Sequence, residues 1–526
     1  MKINFFSWSL LFVMFSCQEN KQPASVEIKK PNIIYILADD LGYGDIGAFN
    51  PDGKIKTPHI DQLAKEGMKF TDAHSPSAVC TPTRYGIITG RYSWRSALKN
   101  GVLTGKSKAL IPNSRTTVAA MLKKGGYTTS FIGKWHLGWD WAQKDSTNFG
   151  GEGWNADEFD NLDFTKPVAN SPKELGFDYS YGHSGSLDMA PYVYVENGKS
   201  TAVVDTITVD TGKYTWWRKG PTAADFVHDD VTPNFFRKAM TYVTEQSKQE
   251  NPFFMYLALP SPHTPILPTE EWLGKSELNP YGDFVAMIDA YMGQLIQAVD
   301  NEGIAENTII IFTSDNGCSP QADFEILAEK EHDPSGIFRG HKADIYEGGH
   351  RVPFIVKWPN QIQPNSVSNQ TICHTDLMAT CAEIAGVDLA DGEAEDSFSM
   401  LPLFDENGSE VFKREATVHH SINGSFAIRK DNYKLIFCPG SGGWSYPIPG
   451  KDDMTKLPKF QLYDLTTDPS EEHNLVEAHP EKVKELKALM TSYFENGRST
   501  PGSKQTNAST HLNGNEWHQI TAVLSE

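Results

Sequence analysis

The sequence predicts an α/β fold: a large, mainly parallel or mixed sheet flanked by helices, followed by a smaller C-terminal α+β subdomain of antiparallel sheet plus helix. Three observations lead there. Short apolar runs rich in β-branched residues recur at 32–38, 127–132, 253–259, 308–313 and 354–356, and runs that are continuous rather than alternating mark strands buried on both faces. Amphipathic stretches at 60–66, 116–124, 235–246 and 284–299 fall between them, so strands alternate with helices, the order that builds a parallel sheet. Past about residue 400 come acidic, Gly-containing segments at 391–396 and 405–410, then strand-like runs at 425–429, 433–437 and 460–465 and a helical stretch at 480–494.

In chain order, Lys2, the apolar stretch 5–15 and Ser16 before Cys17 read as a secretory signal over residues 1–17, too short for an ordinary membrane span. Cys17 leads into a polar run at 18–22 and resembles a bacterial lipoprotein acylation site, so lipid attachment at Cys17 and simple signal cleavage are both open. Residues 18–30 then form a tether, and the protein is expected to be exported, to the periplasm or as a lipoprotein to the outer membrane or cell surface of a bacterium. The main domain is expected over 31–412 and the C-terminal subdomain over 413–526, with a loosely ordered tail beyond Arg498. Connections at 139–171 and 192–231 exceed ordinary linkers and are expected to be insertions that shape a cleft. Apart from Cys17 and Cys80, the chain has Cys318, Cys373, Cys381 and Cys438, a count compatible with disulfides that demands none. The spacing of Cys373 and Cys381 suits buried thiols on a helix better than a zinc site.

The 526 residues carry 67 acidic and 47 basic side chains, a formal charge of -20, with no long Lys/Arg block. Nucleic-acid binding lacks its electrostatic footprint. An anionic substrate is likewise repelled at long range, so a local basic pocket must attract it, with Arg84, Lys134 and Lys342 as candidates.

Residues 80–90 read Cys-Thr-Pro-Thr-Arg-Tyr-Gly-Ile-Ile-Thr-Gly. A helix beginning at Cys80 accommodates Pro82 in its first turn, places the cysteine at the positive end of the dipole and sets Arg84 one turn later, a suitable place for an anion. Asp39-Asp40 end the first apolar run and Asp315-Asn316 follow the fourth. Ligands of parallel sheets bind at such strand ends. These hard oxygen donors suit calcium or magnesium, and the lack of sulfur or clustered histidine argues against zinc.

The run at 80–90 resembles the signature of sulfatases, in which the cysteine is oxidised to formylglycine. Six further segments are similar to that family's motifs in the same chain order: Leu37-Ala38-Asp39-Asp40-Leu41-Gly42 with Ser314-Asp315-Asn316-Gly317, Gly133-Lys134-Trp135-His136-Leu137-Gly138, Pro262-His263-Thr264-Pro265, Gly340-His341-Lys342 continuing to Gly349, and, more weakly, Gly176-Phe177-Asp178 to Ser186 and Asp188. The resemblance implies a sulfate ester hydrolase. It implies one divalent cation, usually Ca2+, held by Asp39, Asp40, Asp315, Asn316 and the formylglycine made from Cys80 by a formylglycine-generating enzyme. Arg84, Lys134 and Lys342 then neutralise the sulfate, with Ser186 as a further contact. His263 protonates the leaving alcohol, helped by Lys342, and His136 removes the proton of the second hydroxyl, so that the covalent hemiacetal sulfate expels sulfate and the aldehyde is restored. Thr83 departs from the small residue most members carry there.

The implied substrate is a sulfated saccharide, desulfated from its end. Trp94, Trp139, Trp141, Trp216 and Trp217 offer aromatic faces for sugar rings, and Asp225 and His228 are candidates to bond sugar hydroxyls. Two rivals stand beside this reading: a phosphate or phosphonate ester hydrolase of the related alkaline-phosphatase superfamily, and a glycan-binding surface lipoprotein without catalysis.

Overall fold

The computed structural model describes residues 29–359, 361–405, 410–508 and 519–524, together with Met1. The expected signal, Cys17 and most of the tether lie outside the described residues. The strands of the first half are β1 (Asn32–Asp39), β2 (Met68–Phe70), β3 (Ala73–His74), β4 (Thr128–Lys134), β5 (Tyr179–His183), β6 (Val195–Glu196), β7 (Lys199–Ser200), β8 (Val204–Asp210) and β9 (Trp217–Ala223). Then come β10 (Phe253–Pro262), β11 (Thr308–Ser314), β12 (Phe354–Lys357), β13 (Ser366–Ser368), β14 (Ile372–Cys373), β15 (Thr417–His420), β16 (Phe426–Lys430), β17 (Tyr433–Ile436) and β18 (Gln461–Asp464). The helices are α1 (Pro58–Glu66), α2 (Cys80–Thr89), α3 (Val118–Lys124), α4 (Val231–Gln246), α5 (Pro280–Asn301), α6 (Phe324–Glu329), α7 (Glu347–His350), α8 (Leu377–Ala385), α9 (Pro480–Asn496) and α10 (Gln519–Leu524).

Ten strands form one sheet in the order β13-β2-β12-β11-β1-β10-β4-β5-β6-β7. Its centre, β11-β1-β10-β4-β5, is parallel, while β12 and the β6–β7 pair run antiparallel at either side. Every residue of β1, β10 and β11 is buried. The cause is cover on both faces: α1, α4 and α5 pack together on one, and α2, α3 and α8 on the other. That double burial explains why these strands read as unbroken apolar runs.

The smaller sheet is antiparallel, ordered β15-β16-β17-β18, with α9 packed on β16 and β17. Its edge strand β15 is one the apolar pattern does not announce. The sequence there, Thr417-Val418-His419-His420, interrupts the hydrophobic pattern with two buried histidines. The expectation of a loose tail beyond Arg498 is corrected as well for its described residues, 499–508 and 519–524. Thr506 O and Asn507 Oδ1 accept from the buried Arg91 and Arg95, Ala508 N donates to Arg95 O, and α10 follows. Two buried guanidiniums need acceptors, and this segment provides them. All five described cysteines are free and buried. The 192–231 insertion folds into β6 to β9, with β8 and β9 a separate hairpin.

Candidate active site

The parallel strands deliver the chemistry-bearing residues to one edge. β1 ends at Asp39, β4 at Lys134, β10 just before His263, and β11 just before Asp315, while β5 ends three residues before Ser186. Registry holds these ends level: Ala38 pairs with Ser314, Asp39 with Pro262, and Lys134 with His183. Cys80 opens α2, whose ten residues are all buried, beneath that edge.

Asp39, Cys80 and Asp315 each present a ligand atom within 4.8 Å of the others, as do Asp39, Asp40 and His263. Lys134 Nζ contacts Asp39 and donates to Ser186 Oγ at 3.1 Å. Lys342 Nζ donates to Asp40 at 2.7 Å, and Asn316 Nδ2 to the other Asp40 oxygen at 2.7 Å. Arg84 donates from Nη2 to Asp315 at 2.8 Å, from Nε to the same oxygen at 3.1 Å, and from Nη1 to Lys134 O at 3.0 Å. Its donors are thus spent on clamping the carboxylate loop to β4. The His263 ring lies 3.3 Å from Ser186 Oγ and 3.7 Å from Asp40.

His136 joins the cluster through Leu103. Its Nε2 donates to Leu103 O at 2.7 Å, and Leu103 N in turn donates to Thr81 Oγ1 beside Cys80. That bond assigns the proton to Nε2 and leaves Nδ1 a bare acceptor, buried and without a partner among the described residues. Asp40 (φ 64°) and His136 (φ 52°) both occupy the left-handed region. Non-glycine residues hold that strain only where their surroundings impose it, often at functional sites.

The loops are locked to one another. A Cβ on Gly317 would lie 1.8 Å from Gly348 O, so only glycine lets the Asp315-Asn316 loop approach the loop after Lys342. Lys342 N donates to Cys318 O, and Ala343 N to Ala78 O two residues before Cys80. Strand β15 closes the set, with Ala78 N donating to His420 O.

Electrostatics follow from this packing. Burial pushes the Cys80 thiol up to about 11, against the pull of Lys134 and Lys342, so it is protonated at neutral pH. Burial also raises Asp39, but Lys134, His263, Arg84 and Lys342 together outweigh it and hold the carboxyl well below its usual range. Asp315 is raised by burial and by the Asp39 charge. Three carboxylates (Asp39, Asp40, Asp315) face three cations (Arg84, Lys134, Lys342). Asp39 Oδ1 and Asn316 Oδ1 are buried without partners among the described residues. Orphaned hard oxygens beside three carboxylates fit a divalent oxygen-seeking cation. Such an ion makes a balanced pocket net positive, which suits an anionic ester.

Of the other sequence candidates, Asp225 and His228 lie outside this cluster. Asp225 accepts the Thr201 hydroxyl on the exposed side, and His228 stacks on Trp217 at 3.9 Å. Trp94, Trp139 and Trp141 are buried in the core, whereas Trp216 remains 37% exposed. The sequence does not single out Arg218, whose Nη1 contacts Asp188 two residues past Ser186. Nor does it mark a second buried group, Asp72, His74, Glu347, His350 and His419, behind the same loops. Its one sequence trace is that Glu347 and His350 continue the segment carrying Lys342.

Compared with known proteins, the family profile described as Sulfatase matches residues 31–387, and one described as N-sulphoglucosamine sulphohydrolase, C-terminal, matches residues 336–499. An N-acetylgalactosamine-6-O-sulfatase of Bacteroides thetaiotaomicron is 34% identical over 504 residues, covering 88% of this chain and 93% of the relative. Arylsulfatase A of Homo sapiens is 30% identical over 483 residues, covering 88% of this chain and 87% of the relative. A structure solved in work on the metabolism of multiple glycosaminoglycans by Bacteroides thetaiotaomicron aligns with a TM-score of 0.75 at 32% identity, covering 88% of this chain and 99% of that one.

Proposed function

The chain belongs to the sulfatase family of sulfuric ester hydrolases, and we propose that it removes sulfate from the end of a sulfated saccharide, using formylglycine made from Cys80 and one Ca2+ ion. The observation that carries this reading is the convergence of Cys80 with Asp39 and Asp315 on one side and Lys134 and Lys342 on the other, in one buried pocket. The relatives' names support the substrate class, since they include an N-acetylgalactosamine-6-O-sulfatase.

When present, hydrated formylglycine supplies a nucleophilic oxygen at position 80, and the cation, held by Asp39, Asp40, Asp315 and Asn316, polarises sulfate and favours the nucleophile's deprotonated form. The protein's own groups do the rest. Lys134 and Ser186 Oγ, 3.1 Å apart, bind sulfate oxygens, and a bound anion draws Lys134 and Lys342 off the carboxylates they now contact. Arg84 keeps Asp315 and β4 in register. His263, beside Ser186 and at the open side of the pocket, delivers a proton to the leaving oxygen. His136 Nδ1, bare and buried, receives the proton whose loss frees sulfate.

The test is a mass spectrum together with kinetics. The tryptic peptide 70–84 should be lighter than its cysteine form by the change from CH2–SH to CHO and should react with carbonyl reagents, and Cys80→Ser should lose multiple turnover on sulfated saccharides. An unmodified Cys80 in fully active enzyme, or faster turnover of an aryl phosphate than of an aryl sulfate, would overturn it. Export, with lipid at Cys17, belongs to the same proposal, supported by the sequence of residues 1–22. Labelled palmitate found in wild type but not in Cys17→Ala checks it.

A further inference from the structure

Three pieces of chain meet at the rim of the catalytic pocket. The first is the loop carrying Trp154, tied down by Lys106, whose Nζ donates to Gly150 O at 2.9 Å and Gly151 O at 3.1 Å, and by Glu158, which accepts from Trp154 N at 3.0 Å. Lys106 lies three residues from Leu103, the acceptor for His136. The second is the turn between β8 and β9, where Tyr214 O accepts from Ile266 N at 2.8 Å, three residues past His263. The third is Asp188, two residues past Ser186, whose carbonyl accepts from Arg218 N at 3.1 Å. Two of the anchors, Ile266 and Asp188, are thus within three residues of a pocket side chain, and Lys106 is within three of the residue whose carbonyl holds His136.

Arg218 stands where they meet. Its guanidinium lies 5.1 Å from the Trp154 ring centroid and 4.7 Å from that of Trp216, and these indoles are 40% and 37% exposed. Nη1 is taken by Asp188, while Nε and Nη2 find no acceptor among the described residues, in a side chain 28% exposed. Asp188 is buried, with its second oxygen unpartnered among the described residues. Two exposed indoles flanking a guanidinium with free donors are an unusual surface for a chain of net charge -20. An Arg fork held in place binds an anion with little further loss of side-chain entropy, and indole faces stack on pyranose rings.

We propose that Trp154, Arg218 and Trp216 form a subsite for the sugar adjoining the sulfated one, and that Arg218 binds an anionic substituent on it, a carboxylate or a second sulfate. This rests on the reading of the substrate as a sulfated saccharide. The indoles give the neighbouring ring its apolar face, Arg218 Nε and Nη2 give its anion two donors, and Asp188 fixes the guanidinium from behind. The site thereby prefers acidic saccharides although the whole protein repels them.

The experiment compares wild type with Arg218→Gln and Trp216→Ala on a sulfated monosaccharide and on three sulfated disaccharides whose second sugar is neutral, carries a carboxylate, or carries a sulfate. Wild type should favour the acidic disaccharides. In Arg218→Gln the ratio of kcat/KM on the acidic disaccharides to that on the monosaccharide should fall about tenfold or more, the usual effect of losing a charged hydrogen-bond partner. Trp216→Ala should lower the ratio for all three disaccharides. The carboxylate and sulfate arms report which anion is preferred. Equal losses on monosaccharide and disaccharides would show a structural role and overturn the proposal, as would indifference of wild type to the charge of the second sugar. If no substrate turns over, the function reading is what has failed. Binding of the same disaccharides, followed by calorimetry in wild type and Arg218→Gln, then decides the subsite by itself, and affinities independent of charge overturn it.

Discussion

Replacing Lys434 with Met tests whether the C-terminal subdomain holds the loops of the candidate site or merely neighbours them. Lys434, on β17, is fully buried and donates to Glu347 at 3.1 Å and His350 Nε2 at 2.9 Å, with Glu471 2.9 Å away. The bond to His350 fixes a run of tautomers: His350 Nδ1 donates to His74 Nδ1 at 3.0 Å, and His74 Nε2 to Asp72 at 2.8 Å. Burial keeps both imidazoles below their ordinary pKa, hence neutral, as this run requires. Glu347 and His350 form α7, five residues past Lys342. In Lys434→Met, Glu347 keeps Arg351 at 2.9 Å, but Glu471 loses the one cation paired with it among the described residues. Removing one partner from a buried ion pair costs about 3–5 kcal/mol. For a chain of this size, at about 2.1 cal/mol/K per residue, that lowers the melting temperature by roughly 3–5 °C. Burial and Glu347 already raise Glu471 to about 7 against the pull of Lys434. The folded state therefore binds the proton more tightly than the unfolded chain, and stability falls as pH rises from the ordinary carboxyl pKa toward 7. Without Lys434 the folded pKa rises further and the window widens. The loss should be largest at pH 8 and smaller at pH 5.5, where Glu471 is protonated, with kcat falling as the Lys342 loop loosens. Melting followed by circular dichroism at both pH values, with kcat measured beside it, decides the matter. A shift under 1 °C at pH 8, or a larger loss at pH 5.5, would refute the reasoning.

Chelation with EGTA should abolish activity and lower the melting temperature, because an ion bound at 100 times its dissociation constant stabilises by about 2.7 kcal/mol. Calcium should restore both at lower concentration than magnesium, and activity that survives exhaustive chelation refutes the cation. Cys80→Ser should keep the wild-type far-ultraviolet spectrum while losing turnover, so any loss of fold would mark Cys80 as structural. Gly317→Ala puts a Cβ 1.8 Å from Gly348 O and must push the Asp315 loop away from the loop after Lys342. Its activity should fall by more than the factor of ten that 1.4 kcal/mol represents, whereas near-wild-type activity would mean that the loops tolerate separation.

The fold was legible where burial is extreme. β1, β10 and β11 are covered on both faces, so their sequences carry no polar alternation and stand out as apolar runs. That the candidate residues converge was legible because parallel strands end at one edge, and the Asp and Asn side chains follow those ends directly in sequence. What stayed hidden depends on contacts between segments far apart. His419 and His420 look like solvated residues in an edge strand, yet both are buried, one bonded to Ser75 O and the other to Ser93 Oγ. Arg95 and Asp396 pair across 301 positions and are both fully buried, which neither local sequence announces. Arg218 and Trp154 lie in insertions whose composition gives no period. A pattern of spacing reports what one element buries, and it is silent on what two loops build between them.

That distinction bears on how a protein of net charge -20 handles anions. Beyond about 8 Å, ordinary ionic strength screens the repulsion between chain and substrate, so selection falls to groups at contact range. In the pocket those are Lys134 and Lys342, each neutralised by an aspartate, and at the rim Arg218, partly neutralised by Asp188. Each cation is held by an acid that fixes its position. On the proposed mechanism the acids pre-position the cations until a bound sulfate draws the two lysines over, and that pre-positioning is what separates recognition of one sulfate geometry from attraction to any anion. A surplus of free lysines at the mouth would capture polyanions more tightly and place none of their esters correctly. The excess of acidic residues outside the pocket is thus consistent with an anion-processing site, because affinity is confined to where the chemistry is done.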